Sequence, residues 1–492
     1  MSRRQSTPTA SGNAVPNPAI VRPDFFGRTH PDPRADPPTV VLDPSGARTE
    51  ELQLIAPETH RMPSTGGDRG ADPDADTDGI PVVMPEAVGG APGGHAMALS
   101  ALLGSAGGLI GWLVAAHLLP VRALGDAQLV VSLFLLVGGL APLTILPVRR
   151  WRPVRLAWAA LLVLPLCALV GLACGLLVPG LGAIPTGPGV APAMGPLLVA
   201  LACAAWGVVA AHDVVLAAAG KSRWAVWRSV LLAILQIGAL VALSGVAGLG
   251  AYGVVLSWLA PIVLWAVFGV ALVPVLVRRT PVGGPSPTPA AISLVGTALL
   301  YHLVPVVVTV RFGPETGAAF FVAWQVFVVV DLAAAYTVHA LSGAVAREPG
   351  RTAELVARAR RRLLIVFLPV IALGAALAGP LLTAFGTTYA EAGDLLRLLL
   401  LGLAFRLVVT HELGVRQALG HGVGFDRLQL FSAVLVLVVA IALPVTALSF
   451  TAVGVTELRL VAIGYIIVQV ACAAAVLVIP AARRTDLEVR AP

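Results

Sequence analysis

Charge is scarce in this 492-residue chain, where Asp, Glu, Lys and Arg together make up 12% of residues against about a quarter in soluble domains. Lysine occurs once, as Lys221, so 32 of the 33 Lys and Arg residues are arginine. Cysteine is nearly absent. Cys167, Cys174, Cys203 and Cys472 all lie inside apolar runs, which excludes a disulfide scaffold and reads as packing. A phosphate-binding glycine loop ending in Gly-Lys-Ser/Thr, a His-Glu-x-x-His helix and a CxxC pair are all missing, and with them the usual sites for nucleotides and metals. The segments between apolar runs are short, leaving no loop for a catalytic domain with paired carboxylates. No cofactor, metal or enzymatic step is expected. Hydrophobic residues supply 57% of the chain, in runs that no water-soluble core absorbs. A soluble enzyme and a nucleic-acid-binding domain are therefore excluded, and the chain reads as an all-α integral membrane protein.

The net charge of +7 is unevenly distributed. Residues 1–96 hold 8 Arg and 13 Asp/Glu amid Pro, Gly and Thr, with no helical or strand period. Such a segment buries too little apolar surface to offset its ordering entropy, so a disordered cytoplasmic tail is expected. It lacks the apolar core of a signal peptide.

Twelve apolar segments follow, near 97–118, 127–148, 155–179, 194–219, 224–248, 253–277, 291–310, 317–345, 362–384, 393–419, 428–449 and 455–479. About 20 helical residues cross a ~30 Å hydrocarbon layer. Arginines test the count. Cytoplasmic loops carry the excess of basic residues, and with the tail inside, Arg149, Arg150, Arg152, Arg155, Lys221, Arg223, Arg228, Arg278 and Arg279 fall on the cytoplasmic side. Arg347, Arg351, Arg358, Arg360 to Arg362, Arg416, Arg427, Arg483, Arg484 and Arg490 fall there too. The opposite side receives only Arg122, Arg311, Arg397 and Arg459. Trp151, Trp158, Trp224 and Trp227 cluster at the basic interface, where indoles favour the headgroups. The expectation is a multi-pass protein of the cytoplasmic membrane with both termini cytoplasmic.

A Pro/Gly-rich stretch from Arg278 to Pro289 divides the helices six and six. Val121-Arg122-Ala-Leu-Gly125 after the first helix is echoed by Val310-Arg311-Phe-Gly313 after the seventh. Ala218-Ala-Gly220-Lys221 after the fourth is echoed by Ala418-Leu-Gly420-His421 after the tenth. Parallel repeats of this kind are common in alternating-access transporters. The expected organisation is a tail (1–96), an N-lobe (97–277), a cytoplasmic linker (278–290), a C-lobe (291–480) and a cytoplasmic C-terminal tail (481–492).

The stretch from Leu381 through Phe385-Gly386 and Tyr389-Ala390-Glu391-Ala392 to Leu398, with Pro120-Val-Arg122-Ala-Leu-Gly125-Asp-Ala-Gln128, resembles the multidrug/oligosaccharidyl-lipid/polysaccharide flippase superfamily, in particular its polysaccharide-biosynthesis branch. The likeness covers residues 97–480. It implies two six-helix lobes, as in the MATE fold, around a central cavity opening alternately to each side. It also implies transport of a polyprenyl-linked glycan or, in the antiporter branch, of a cationic drug. Peptidoglycan-precursor flippases of the superfamily usually have fourteen helices and several arginines in the N-lobe cavity. This chain has twelve segments and no mid-depth N-lobe arginine, which argues against that cargo.

Ionisable groups in hydrocarbon are costly and call for a partner or a role. Asp331 in the eighth helix and Arg406 in the tenth fall at matching depth, about 20 Å from the outer ends, with Tyr301 and His302 of the seventh nearby. They are the candidate substrate-binding residues, Arg406 for a diphosphate and Asp331 as counter-charge or proton site. The alternative is an ion pair that locks two helices together. His212 and Asp213, with His411 and Glu412, are candidates for a polar ring at the inner mouth, or else reach interfacial water. Gly104, Gly107, Gly108 and Gly111 in the first helix suit close helix packing.

The reading is a flippase carrying a lipid-linked saccharide from the inner to the outer leaflet, in contact with membrane lipids. On this basis Arg406→Ala should abolish export without lowering the protein's abundance. A coupled drug antiporter with Asp331 as the acid is the first alternative, and a scaffold recruiting cell-envelope enzymes through residues 1–96 the second. A chain lacking residues 1–96 should keep its export activity if it is a flippase. Loss of function with normal membrane abundance would support the scaffold.

Overall fold

The structure, a computed structural model, describes residues 92–144, 153–178, 181, 194–218, 221, 223–277, 287–419, 422–447 and 455–478. The expected C-terminal tail, most of the expected linker and the tail as far as residue 91 lie outside these. Among the described residues there are helices and turns but no strand. A bilayer imposes this, because each backbone N–H and C=O must be paired within its own segment.

Among the described residues, twelve long helices occupy the twelve expected positions. They are α1 (Pro92–Leu118), α2 (Val121–Gly139, extended by the 3-10 turn Ala141–Thr144), α3 (Pro153–Leu177), α4 (Met194–Ala218) and α5 (Arg223–Leu240, running into a π-turn at Val241–Val246). α6 is Gly250–Val277. α7 spans 287–312 as Pro287–Ala298, a π-turn at Leu299–Leu303, and Val304–Phe312. α8 is Pro314–Arg347, α9 Thr352–Ala376, α10 Gly393–Ala418, α11 Gly422–Ala447 and α12 Val455–Val478.

Eight of these, α1, α2, α4 to α8 and α12, contain a long apolar stretch low in charge. In α3 and α11 the apolar stretch among the described residues is shorter, Leu162–Leu177 and Arg427–Ala442. Charged side chains interrupt α9 and α10.

Several boundaries differ from expectation, and mostly for one reason. Charged residues that hydropathy assigns to loops are helical. α2 begins at Val121 rather than 127 and takes in Arg122 and Asp126. α9 begins at Thr352 rather than 362, so the arginines of 358–362 lie on its first turns. It ends at Ala376, and the expected final turn is a separate helix, Ala378–Thr383, followed by a 3-10 turn at Thr387–Ala392. Arg228, expected at the interface, is a buried side chain within α5. Trp224 and Trp227 remain exposed at the start of that helix.

The packing repeats. α1 lies against α5 as α7 lies against α11, and α4 packs on α2, α3 and α6 as α10 packs on α8, α9 and α12. α5 meets α6 as α11 meets α12. These are two six-helix lobes of one design. Within the first, Gly107 lets α1 approach α5, since a Cβ there would lie 2.5 Å from that of Ala233. The glycine row of α1 is a packing surface.

Between lobes, α1 and α2 meet α7 and α8. Trp112 sets its ring edge-on to Phe321 at 4.8 Å. The Gln128 amide donates to the Thr309 hydroxyl, which in turn donates to the Pro305 carbonyl at 2.9 Å. At Gly125 a Cβ would fall 1.9 Å from the Pro314 carbonyl oxygen, so the lobes meet backbone to side-chain-free backbone.

All these contacts lie at the end carrying the α1–α2 and α7–α8 turns. There α2 is buried almost continuously from Leu124 to Phe134, and α8 from Phe320 to Trp324. Further along, α8 keeps Phe327, Val328, Asp331, Ala334, Val338, Leu341 and Val345 buried, and the described residues between them are half-exposed.

Overpacking of a tight contact costs ~1–3 kcal/mol. Cysteines replacing Gln128 and Thr309 should cross-link in a cysteine-free background, and adding Gly125→Ala should lower the disulfide yield several-fold. An undiminished yield would show that the close approach at Gly125 does not hold the lobes together.

Candidate functional site

The C-lobe encloses a chain of polar side chains in an apolar interior. The i, i+3, i+4 stripe of α8 that faces the lobe carries Asp331 between Phe327 and Ala334. On α10 the stripe Leu399, Leu403, Leu407 carries Arg406 alongside. The two side chains meet. Arg406 Nε donates to Asp331 Oδ2 at 2.6 Å, with the pair 4% and 1% exposed. The Tyr301 hydroxyl donates to the same oxygen at 2.8 Å. Tyr301 belongs to the π-turn of α7, and its carbonyl accepts the Trp324 indole N–H at 3.3 Å. π-turns frequently mark functional positions.

α12 contributes Tyr465 and Gln469, one helical turn apart. The Tyr465 ring lies edge-on to Phe327 at 5.3 Å and against Gly402, where a Cβ would stand 2.5 Å from it. Gln469 donates to the Ser432 hydroxyl at 3.2 Å. Asp331 Oδ1, Arg406 Nη1, the Tyr465 hydroxyl and Gln469 Oε1 have no partner among the described residues. Buried polar atoms of that kind carry a desolvation cost of ~1–3 kcal/mol each.

Of the residues singled out from the sequence, Tyr301, Asp331 and Arg406 come together. His302 takes no part in these bonds and is half-exposed beside Tyr301. The other two dipeptides are held within their own lobes. Asp213 receives two guanidinium hydrogens from Arg228, one of them at 2.8 Å. His212 is buried edge-on to Trp265 at 6.2 Å, with both ring nitrogens unpartnered among the described residues. His411 Nε2 donates to the Val356 carbonyl at 3.3 Å, and Glu412 takes Arg416 at 2.8 Å. No hydrogen bond links the two dipeptides among the described residues.

Sequence reasoning missed Tyr465 and Gln469, whose four-residue spacing on an apolar helix is the signal that marks them. It also missed Gln128 and Thr309, which no spacing connects.

A hollow of about 450 Å³ opens at the end of the C-lobe where α10 begins, lined by Gly379, Ala390, Glu391, Gly393, Asp394, Arg397 and Arg459. Asp394 holds Arg397 and Arg459, each at 2.6 Å. Beneath it burial pushes the Tyr389 phenol up to about 12. All the lining residues belong to the C-lobe, so this hollow is no passage between lobes.

No protein-family model and no curated protein matches this sequence. Solved structures do. An outward-facing multidrug resistance MATE family transporter of the MOP superfamily aligns with TM-score 0.50 at 16% identity, over 82% of this chain and 98% of that one. An inward-facing structure so described aligns with TM-score 0.52 at 17% identity, over 80% and 96%. A MOP superfamily transporter from Pyrococcus furiosus, described as having a binding pocket of reverse polarity that suggests a different function, aligns with TM-score 0.52 at 17% identity, over 82% and 98%. The chain has the MATE fold.

The expectation that Arg406→Ala spares abundance meets an obstacle in the burial of the pair. Removing one partner of an enclosed ion pair costs about 3–5 kcal/mol, because the other charge is left uncompensated. Arg406→Ala and Asp331→Asn should each lower the melting temperature in detergent markedly, while the neutral double variant D331N/R406Q should recover most of the loss. A single variant as stable as the parent would mean that the charges do not face one another.

Proposed function

We propose that the protein is an alternating-access transporter of the cytoplasmic membrane, and that it moves a polyprenyl-linked saccharide or similar anionic lipid-linked precursor to the outer leaflet for cell-surface polysaccharide synthesis. The observation that carries the transport reading is that the contacts named between the lobes lie at one end, where α2 is buried almost continuously from Leu124 to Phe134 and α8 from Phe320 to Trp324, while further along α8 half-exposed residues separate the buried ones. Two lobes that seal at one end and part at the other form a cleft, and reversing which end seals moves the cleft's contents across. The arginine distribution supports a cytoplasmic orientation of the other end. The solved MATE-fold transporters in outward- and inward-facing conformations support such a cycle. No covalent chemistry is required.

Arg406 supports an anionic cargo. Its guanidinium uses Nε on Asp331 and keeps Nη1 unpartnered among the described residues, in a medium where a charge-assisted bond is strong. A diphosphate drawing on that free N–H would compete with Asp331, and the π-turn in α7 places Tyr301 to take up or release the same carboxylate oxygen. His302, half-exposed on that turn, stands where a headgroup would approach. His212, Asp213, His411 and Glu412 are kept as the proposed polar ring at the inner mouth, each dipeptide held within its own lobe.

A second reading rests on Asp331 Oδ1, also without a partner among the described residues. It is a carboxylate site for a coupling proton in a drug antiporter of the same fold.

The folded double variant D331N/R406Q separates them. For a flippase, cells carrying only this variant should accumulate polyprenyl-linked saccharides and lose surface polysaccharide. For an antiporter they should instead lose dye efflux that collapses with a protonophore. Normal surface polysaccharide together with normal efflux would remove the cluster from transport altogether.

A further inference from the structure

The first three turns of α9 carry an anion site that the transport reading does not use. Arg351, in the turn before α9, donates to Glu348 at 2.7 Å and to Glu354 at 2.9 Å, and Arg358 also donates to Glu354. These two carboxylates are thereby occupied. Arg360, Arg361 and Arg362 follow in direct succession, all exposed, and none has a carboxylate or other hydrogen-bond partner among the described residues. Elsewhere several of the described arginines are held by carboxylates, Arg228 by Asp213, Arg406 by Asp331, Arg416 by Glu412, and Arg397 with Arg459 by Asp394.

The position of the three matters as much as their freedom. One face of α9, with Leu355, Leu363, Phe367 and Ile371, is buried on the bundle. The opposite face turns abruptly from charged to apolar after Arg362. Ile365 is 60% exposed and Leu373 61%, with Val366, Leu368 and Val370 between them exposed as well. Exposed aliphatic side chains in this number belong against lipid tails. Three residues of helix rise about 5 Å, so the guanidinium groups of 360–362 stand one step above the hydrocarbon edge, at the depth of lipid phosphates. Successive residues turn about 100°, so the three fan over more than half the helix circumference and face several headgroups rather than one small ion.

We propose that Arg360, Arg361 and Arg362 form a docking surface for anionic phospholipid headgroups of the leaflet that α9 enters. Basic side chains near a membrane surface are drawn to anionic headgroups by about 1 kcal/mol each, guanidinium and ammonium alike. The surface anchors the α8–α9 end of the C-lobe to that leaflet.

The test uses the purified full-length chain in neutral detergent, titrated with phosphatidylglycerol or phosphatidylcholine and read by native mass spectrometry. The unaltered protein should retain phosphatidylglycerol in preference to phosphatidylcholine. R360Q/R361Q/R362Q should weaken that retention by roughly fivefold per arginine removed, and R360K/R361K/R362K should keep most of it. Added salt should weaken binding to the unaltered chain through screening. Equal retention of the two lipids, full retention by the glutamine variant, or insensitivity to salt would each overturn the proposal. So would displacement by millimolar inorganic phosphate, which would make this a free-ion site. If the glutamine variant does not fold, lipid preference, salt and phosphate competition on the unaltered chain still decide. Because export is not the readout, failure here is distinguishable from failure of the flippase reading.

Discussion

The low polarity of the hydrocarbon layer governs every level of this structure. A backbone that cannot reach water must satisfy itself, so the described chain is helix joined by short turns. A charge that cannot reach water must find another charge, so Asp331 and Arg406 meet from two helices and Arg228 closes on Asp213. The same condition makes the exceptions informative. Oδ1 of Asp331 and Nη1 of Arg406 remain without partners among the described residues, in the medium where that costs most.

Helix packing then turns a linear repeat into a machine with two similar halves. Among the described residues the contacts named between them involve α1, α2, α7 and α8, where a glycine faces a carbonyl, one glutamine reaches one threonine and Trp112 sits edge-on to Phe321. At Gly125 the lack of a side chain lets the two backbones meet directly, and a bulkier residue there would hold them apart.

Much of this architecture was legible in the sequence, because apolar run length and arginine placement both report the bilayer. The twelve helices occupied the expected positions, and the six-plus-six division followed from one Pro/Gly-rich segment. Boundaries failed where charged residues are helical, as at Thr352–Arg362, since hydropathy reads charge as loop while a helix emerging from the bilayer carries it freely. Asp331 and Arg406 were found by depth alone, and Tyr301 by its closeness in depth to them. Depth says nothing about azimuth. It therefore separated neither Tyr301 from its half-exposed neighbour His302 nor Arg228, enclosed in α5, from the interfacial arginines around it. Gln128 with Thr309 was beyond reach, because a contact between lobes has no local signature.

The wide turn at Leu299–Leu303 carries an implication for how this chain can change over time. A wide turn holds one residue more than the ordinary coil, and deleting a single position there would restore regular winding. The segments on either side would keep their facing, because the widened turn already absorbs the surplus residue, so Pro287–Ala298 would stay on its seat against α11. What such a deletion would remove is the displaced position of Tyr301 itself, so the phenol and not the scaffold is what that surplus residue preserves.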